Sequence, residues 1–170
     1  MIRIHIIHSY RPGGDGERTV RIRIRWYGEE VTVGADEVRR TALAVLRAVW
    51  WLDTHSRLTG QGLSDEQATL ALGPLPAPAA GTDGGFQVSI GPGGTVRLAR
   101  PGIRTRALIP RGEAETMGTG WFRIAESADA DARLLQALKH TTGLPQTQVA
   151  DLFAYLWVLR SDDPVTELGG

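Results

Sequence analysis

The sequence contains no cysteine, and this absence removes several classes of site at once. Disulfides, thiolate nucleophiles, cysteine-ligated zinc and iron–sulfur clusters all need a thiol. The four histidines are scattered, and His5 and His8 stand three residues apart on a predicted strand, which sends them to opposite faces. The sequence therefore predicts no metal site, and no motif in it indicates a cofactor.

Lysine is almost absent, because Lys139 is the single lysine among 19 basic residues. Together with abundant glycine, alanine and proline, this is typical of a GC-rich bacterial genome, so an arginine alone is weak evidence for guanidinium chemistry. Long apolar runs are missing too, since no run approaches the roughly 20 residues of a membrane span. The first strand also lacks the pattern of a secretory signal. We expect a cytoplasmic bacterial protein.

The first half of the chain predicts a hairpin followed by helices. Residues 1–10 and 20–26 alternate apolar and polar side chains at the period of a strand, and glycines between them favour a turn. From 36 to 57 the apolar residues recur at steps of three and four, as in a helix. Ser64 and Gln67 form a possible capping box for a short second helix.

The second half predicts a second hairpin and further strands. Residues 86–90 and 95–99 flank a glycine-rich turn, and two more strands are predicted at 103–109 and 120–125. Residues 73–85 are rich in proline, alanine and glycine, which favours a linker or a surface loop.

Two helices are predicted at the end of the chain. The first starts at Ser127 or Asp129 and ends near Thr142, and the second runs from Pro145 to about Arg160. The whole pattern predicts an α+β fold, in which an antiparallel sheet built from two β-hairpin units has three main helices packed on one face.

Two domain divisions fit this pattern. In the first, residues 1–72 form a ββα lobe, 73–85 form a linker, and 86–170 form a β-meander with a C-terminal helical hairpin. In the second, 73–85 is a loop within one single domain, 1–170.

A basic face on the first hairpin is one candidate site. If the even-numbered isoleucines share one face of the sheet, the other face collects basic side chains. These residues are Arg3, His5, Arg21, Arg23 and Arg25. Alternate residues on a strand lie about 7 Å apart, which suits nucleic-acid phosphates. The competing interpretation is an ordinary solvated face whose arginines pair with Glu29, Glu30 or the acidic tail. This tail is the stretch 128–170, which holds three basic and six acidic residues.

The last predicted helix is the second candidate. The stretch from Leu134 to Phe153, with its turn at 142–145, resembles the helix–turn–helix of bacterial regulators and the helical hairpin of HU-type proteins. However, residues 146–159 contain no basic side chain for DNA and are apolar nearly all round. Such a helix is buried or contacts a partner. The predicted partner-binding residues are Phe153, Tyr155, Leu156, Trp157 and, from one of the adjacent aromatic pairs, Trp51.

Enzymatic signatures are weak in this sequence. No serine stands in a nucleophile elbow, and neither glycine-rich turn has the lysine and hydroxyl of a P-loop. His5, His8, Tyr10 and His140 could perform metal-free nuclease chemistry only if they converge. The leading hypothesis is a non-enzymatic bacterial adaptor or assembly subunit that binds a protein or itself. A nucleic-acid-associated protein and a small histidine-dependent enzyme are the two alternatives.

Overall fold

The structure, a computed structural model, describes residues 2–10, 18–75, 85–141, 143, 148–149, 152 and 155. For residues 3–10, 18–19, 139 and 141 the description covers the backbone alone. The described part contains three helices and two antiparallel sheets of three strands each, and helices pack against sheet. The predicted α+β class is confirmed.

The first sheet has the order β1 (Ile2–Tyr10), β2 (Arg18–Trp26), β3 (Glu29–Val33). The predicted hairpin of β1 and β2 is confirmed, while its turn lies outside the described residues. Strand alternation explains the burial, because Ile22, Ile24 and Trp26 are fully buried between exposed arginines.

Strand β3 is an element that the sequence pattern did not predict. Tyr27 and Gly28 join it to β2 with positive φ angles of 46° and 96°. A two-residue turn of this kind matches the twist of the flanking strands, and it needs both central residues in the left-handed region. Gly28 adopts that conformation without steric cost.

Helices α1 (Ala35–Gly60) and α2 (Asp65–Leu72) follow the predicted spacing. The buried side chains of α1 follow the predicted spacing of three and four residues, and they include Val38, Val45 and Val49. The capping box before α2 is confirmed, with the Ser64 hydroxyl accepting from the Gln67 amide and the Gln67 side chain accepting from the Ser64 amide.

The second sheet has the order β4 (Gln87–Ile90), β5 (Val96–Ala99), β6 (Ala107–Ile109). The predicted second hairpin is confirmed, and a short 3₁₀ turn at Pro92–Gly94 joins its strands. Strand β6 occupies only the end of the predicted segment 103–109, pairing with β5 from Ala107 onward.

The predicted strand at 120–125 is wrong, because these residues lie inside helix α3 (Arg111–Thr141). The predicted start at Ser127 or Asp129 is therefore about four turns late, although the predicted end is nearly right. Trp121, Ile124 and Ala128 are buried at helical spacing.

Close packing accounts for Gly118, one of the three glycines in the first half of helix α3. A Cβ atom at Gly118 would lie 2.9 Å from Leu46 Cγ of α1, which is too close for an alanine without a shift of Leu46. The local propensity of glycine disfavours a helix, but close helix packing requires it here.

Contacts divide the chain into two compact units. One unit comprises Met1–Ala35 and Arg123–Gly170, and the other comprises Asp36–Phe122. The predicted boundary at 73–85 falls inside the second unit, and the division into 1–72 and 86–170 stays a prediction. Within the described residues, no helix is both long and apolar enough to cross a membrane.

Candidate interaction surfaces

The register of the first sheet brings basic residues together on one side. Arg3 is opposite Arg25 and His5 is opposite Arg23 across β1 and β2, while Arg21 is opposite Ile7. Arg21, Arg23 and Arg25 are exposed. The side chains of Arg3 and His5 lie outside the description, so the register alone places these two residues.

Glu30 on strand β3 binds two of these arginines. Arg25 donates to Glu30 Oε1 from Nη2 at 2.7 Å and from Nε at 3.2 Å. Arg23 Nε lies 3.7 Å from Glu30 Oε2. One carboxylate therefore serves two guanidinium groups, and the sheet partly neutralises its own basic face.

The pKa of Glu30 reflects this arrangement. The hydrogen bond from Arg25 lowers the pKa, a loss of hydration opposes the shift, and the positive charges of Arg23 and Arg25 add to the lowering. Because its pKa is lowered, Glu30 is ionised throughout the neutral range, so its negative charge lies beside the arginines at neutral pH.

The last helical residues present an apolar face. Val149 is buried in a cluster with Leu135 of α3, and Leu138 packs against the same cluster. By contrast, Leu152 is 38% exposed and Tyr155 is 62% exposed. Steps of three and four residues on a helix place such side chains on one side. We call Leu152 and Tyr155 the Leu152–Tyr155 face.

The other predicted contact residues of this helix, Phe153, Leu156 and Trp157, lie outside the described residues. Leu152 was not among the predicted contacts. The signal that could have found it is its position three residues before Tyr155, since residues at this spacing share one side of a helix.

The adjacent tryptophans of α1 have different environments. Trp51 is half-buried, its Nε1 donates to the carbonyl oxygen of Gly73 at 3.1 Å, and its ring stacks on His55 with centroids 5.0 Å apart. Trp50 is 62% exposed. Trp51, the predicted contact residue, therefore helps to hold the end of α2, and the exposed aromatic side chain is that of Trp50.

Two of the four histidines have described side chains, and they belong to different compact units. His55 stacks on Trp51 and lies 3.2 Å from Thr69 Oγ1, and His140 is exposed on α3. The side chains of His5 and His8 are outside the description. Among the described residues, no three histidine, aspartate or glutamate side chains could hold a metal ion, and no buried side-chain nitrogen or oxygen lacks a partner.

No protein-family model, no curated protein and no solved structure matches this chain. Its function must therefore be inferred from its own surfaces.

Proposed function

We propose that the protein is a non-enzymatic interaction module, an adaptor or assembly subunit that docks through the Leu152–Tyr155 face. The occupant is a protein partner or a second copy of the chain. We also propose a bacterial cytoplasmic setting, which the arginine-rich and cysteine-free composition supports. The observation that carries the proposal is that Leu152 and Tyr155 are exposed while their neighbour Val149 is buried.

Burial of this face would release considerable free energy. A fully buried leucine side chain contributes about 1.5–3 kcal/mol, and tyrosine adds a rigid ring with one hydrogen-bonding group. Val149, three residues before Leu152, packs with Leu135 of α3. An anchor of this kind next to the face would reduce the entropy lost on binding.

The alternative of nucleic-acid binding by the basic strand face has less support. Glu30 pairs with Arg25 and Arg23, so a phosphate would compete with a carboxylate that is already in place. The second alternative, a histidine-dependent enzyme, needs histidines in one cleft, and the contacts described for His55 are with Trp51, Asp65 and Thr69.

Affinity purification of the full chain from its host tests the proposal. The variant Leu152→Ser/Tyr155→Ser should lose a protein that the unaltered chain retains after nuclease treatment. The matched control is Leu70→Ser/Tyr27→Ser, which removes the same residue types at positions that are 85% and 50% exposed. This control should retain the partner.

Sedimentation velocity completes the test for the case in which the partner is a second copy. The unaltered chain should then dimerise with rising concentration, and the Leu152→Ser/Tyr155→Ser variant should stay monomeric. A retained protein that both variants keep equally would contradict the proposal. So would purified material that consists of nucleic acid and disappears with nuclease.

A further inference from the structure

Helix α1 has an outward face with an ordered pattern of charge and apolar surface. Leu43 is 39% exposed and Trp50 is 62% exposed, and the two stand seven residues apart. Arg40 and Arg47 are also exposed and have the same spacing. Two helical turns separate the members of each pair, or about 10 Å along the helix. We call these four residues the α1 face.

The arginines of this face have no carboxylate partner within the described residues. The nearest acidic residues of the same helix are already engaged. Glu37, three residues before Arg40, pairs with Arg100. Asp36 accepts from Arg39 Nη1 at 2.6 Å, and Asp53 accepts from Arg111 Nη2 at 3.0 Å with a second contact through Arg111 Nε. The α1 face is therefore positively charged and has two apolar contacts between its charges.

The opposite side of α1 holds this face in place. Val38, Ala42 and Val45 are fully buried, and Leu46 packs against the position of Gly118 on α3. On this rigid helix, the apolar residues recur after seven positions, and so do the arginines that flank them. Helices that pair with one another have this heptad pattern of apolar and charged residues.

We propose that the α1 face binds an acidic amphipathic helix of a protein partner. Apolar residues of that helix contact Leu43 and Trp50, and its glutamates or aspartates pair with Arg40 and Arg47. Charge complementarity selects an acidic occupant. The single aromatic side chain of the α1 face suits a helix better than a single nucleic-acid strand, which prefers a basic groove with several stacking rings. The α1 face shares no residue with the Leu152–Tyr155 face, and this proposal does not depend on the proposed function.

A synthetic peptide probes the surface directly. The probe has about four heptads with leucine at a and d and glutamate at e and g, so that like charges prevent it from pairing with itself. Its binding to the full chain is measured by fluorescence anisotropy. We expect saturable binding that weakens with salt, and at least about tenfold weaker binding of a scrambled peptide of the same composition.

Charge-reversed variants identify the site. Arg40→Glu/Arg47→Glu should weaken binding at least about tenfold, because like charges then meet across the interface. The control Arg104→Glu/Arg106→Glu changes the net charge equally at exposed positions outside α1, and it should change binding less than about twofold. Trp50→Ser should also weaken binding. Circular dichroism melting checks that each variant folds.

Several results would overturn the proposal. One is the absence of peptide binding at about 1 mM peptide. Another is an equal loss of affinity in Arg40→Glu/Arg47→Glu and in the control Arg104→Glu/Arg106→Glu. The third is that the scrambled peptide binds as tightly as the designed one. Tighter binding of a single-stranded oligonucleotide that is lost in Arg40→Glu/Arg47→Glu would assign the face to nucleic acid instead. The Leu152→Ser/Tyr155→Ser variant should bind the peptide normally, so that this proposal and the proposed function fail separately.

Discussion

Strand β2 and helix α1 both have exposed arginines on one side and buried apolar residues on the other, but their arginines have different electrostatic surroundings. On β2, Arg23 and Arg25 share the carboxylate of Glu30. On α1, Arg40 and Arg47 have no carboxylate partner in the described part of the chain. The number of arginines in a stretch therefore does not determine how positive its surface is.

The geometry of the two elements explains the difference. A strand has a neighbour whose side chains lie about 5 Å away, so its counter-charge comes from another part of the sequence. On an outward helix face, the neighbours are residues three and four positions away in the same helix. The carboxylates within this reach of Arg40 are Asp36 and Glu37, but they pair with Arg39 and Arg100 instead. The charge of both surfaces therefore depends on contacts that only the folded structure shows.

A fifth arginine, Arg100, extends the comparison to a less exposed ion pair. Arg100 pairs with Glu37 of α1, and its guanidinium carbon lies 4.8 Å from the centre of the Phe86 ring. We expect Arg100→Ala to lower the free energy of unfolding by about 2 kcal/mol, below the 3–5 kcal/mol of a fully buried pair. Urea denaturation measures this value.

The matched control for Arg100 is Arg97→Ala, because Arg97 is also half-exposed and lies on the neighbouring strand β5. No ion pair of Arg97 occurs within the described residues, so its removal should cost less. Equal losses in both variants would mean that the contacts of Arg100 with Glu37 and Phe86 do not stabilise the fold.

Removal of the Glu30 carboxylate should leave Arg23 and Arg25 of β2 without a carboxylate partner, as Arg40 and Arg47 are on α1. We expect Glu30→Gln to strengthen binding of an oligonucleotide at low salt by about two- to fivefold, because two arginines lose their partner. Glu29→Gln is the control, since it changes the net charge equally at a position opposite Trp26 and not opposite an arginine. Binding is measured by fluorescence anisotropy. Equal changes in affinity for Glu30→Gln and Glu29→Gln would contradict the proposal that Glu30 neutralises Arg23 and Arg25.

A smaller effect is expected for the pH dependence of the stability that the Glu30–Arg25 pair contributes. Because folding lowers the pKa of Glu30, the pair contributes stability above the carboxyl pKa of the unfolded chain and loses it as pH falls through the lowered value. A carboxyl titration followed by NMR should have its midpoint below 4.5, the ordinary value. In Arg25→Gln the midpoint should rise. An unchanged midpoint would exclude Arg25 as the main cause.

Local signals predicted much of the fold. The alternation of β2, the helical spacing of α1 and the capping box at Ser64 each depend on residues that are close in sequence, and the structure contains all three. Strand β3 was missed because Glu29 and Glu30 are unusual at the start of a strand. Its pairing depends on the whole of β2.

The error at 120–125 has a tertiary cause. Adjacent Trp121 and Phe122 suggest a strand, and Gly112, Gly118 and Gly120 disfavour a helix before them. The close approach of Leu46 to Gly118 explains one of these glycines, and only the packed structure shows it. The candidate surfaces were predicted in part, since Tyr155 was expected to be exposed but Leu152 and Trp50 were not singled out.

Site-specific photo-crosslinking in the host cell tests the central proposal most directly. A photoreactive phenylalanine derivative replaces Tyr155 in one variant and Tyr27 in the other, because both positions are exposed aromatics. The account predicts a protein adduct from position 155, formed with a partner or a second copy, and its absence from position 27. No protein adduct at 155, or the same adducts from both positions, would contradict docking through the Leu152–Tyr155 face.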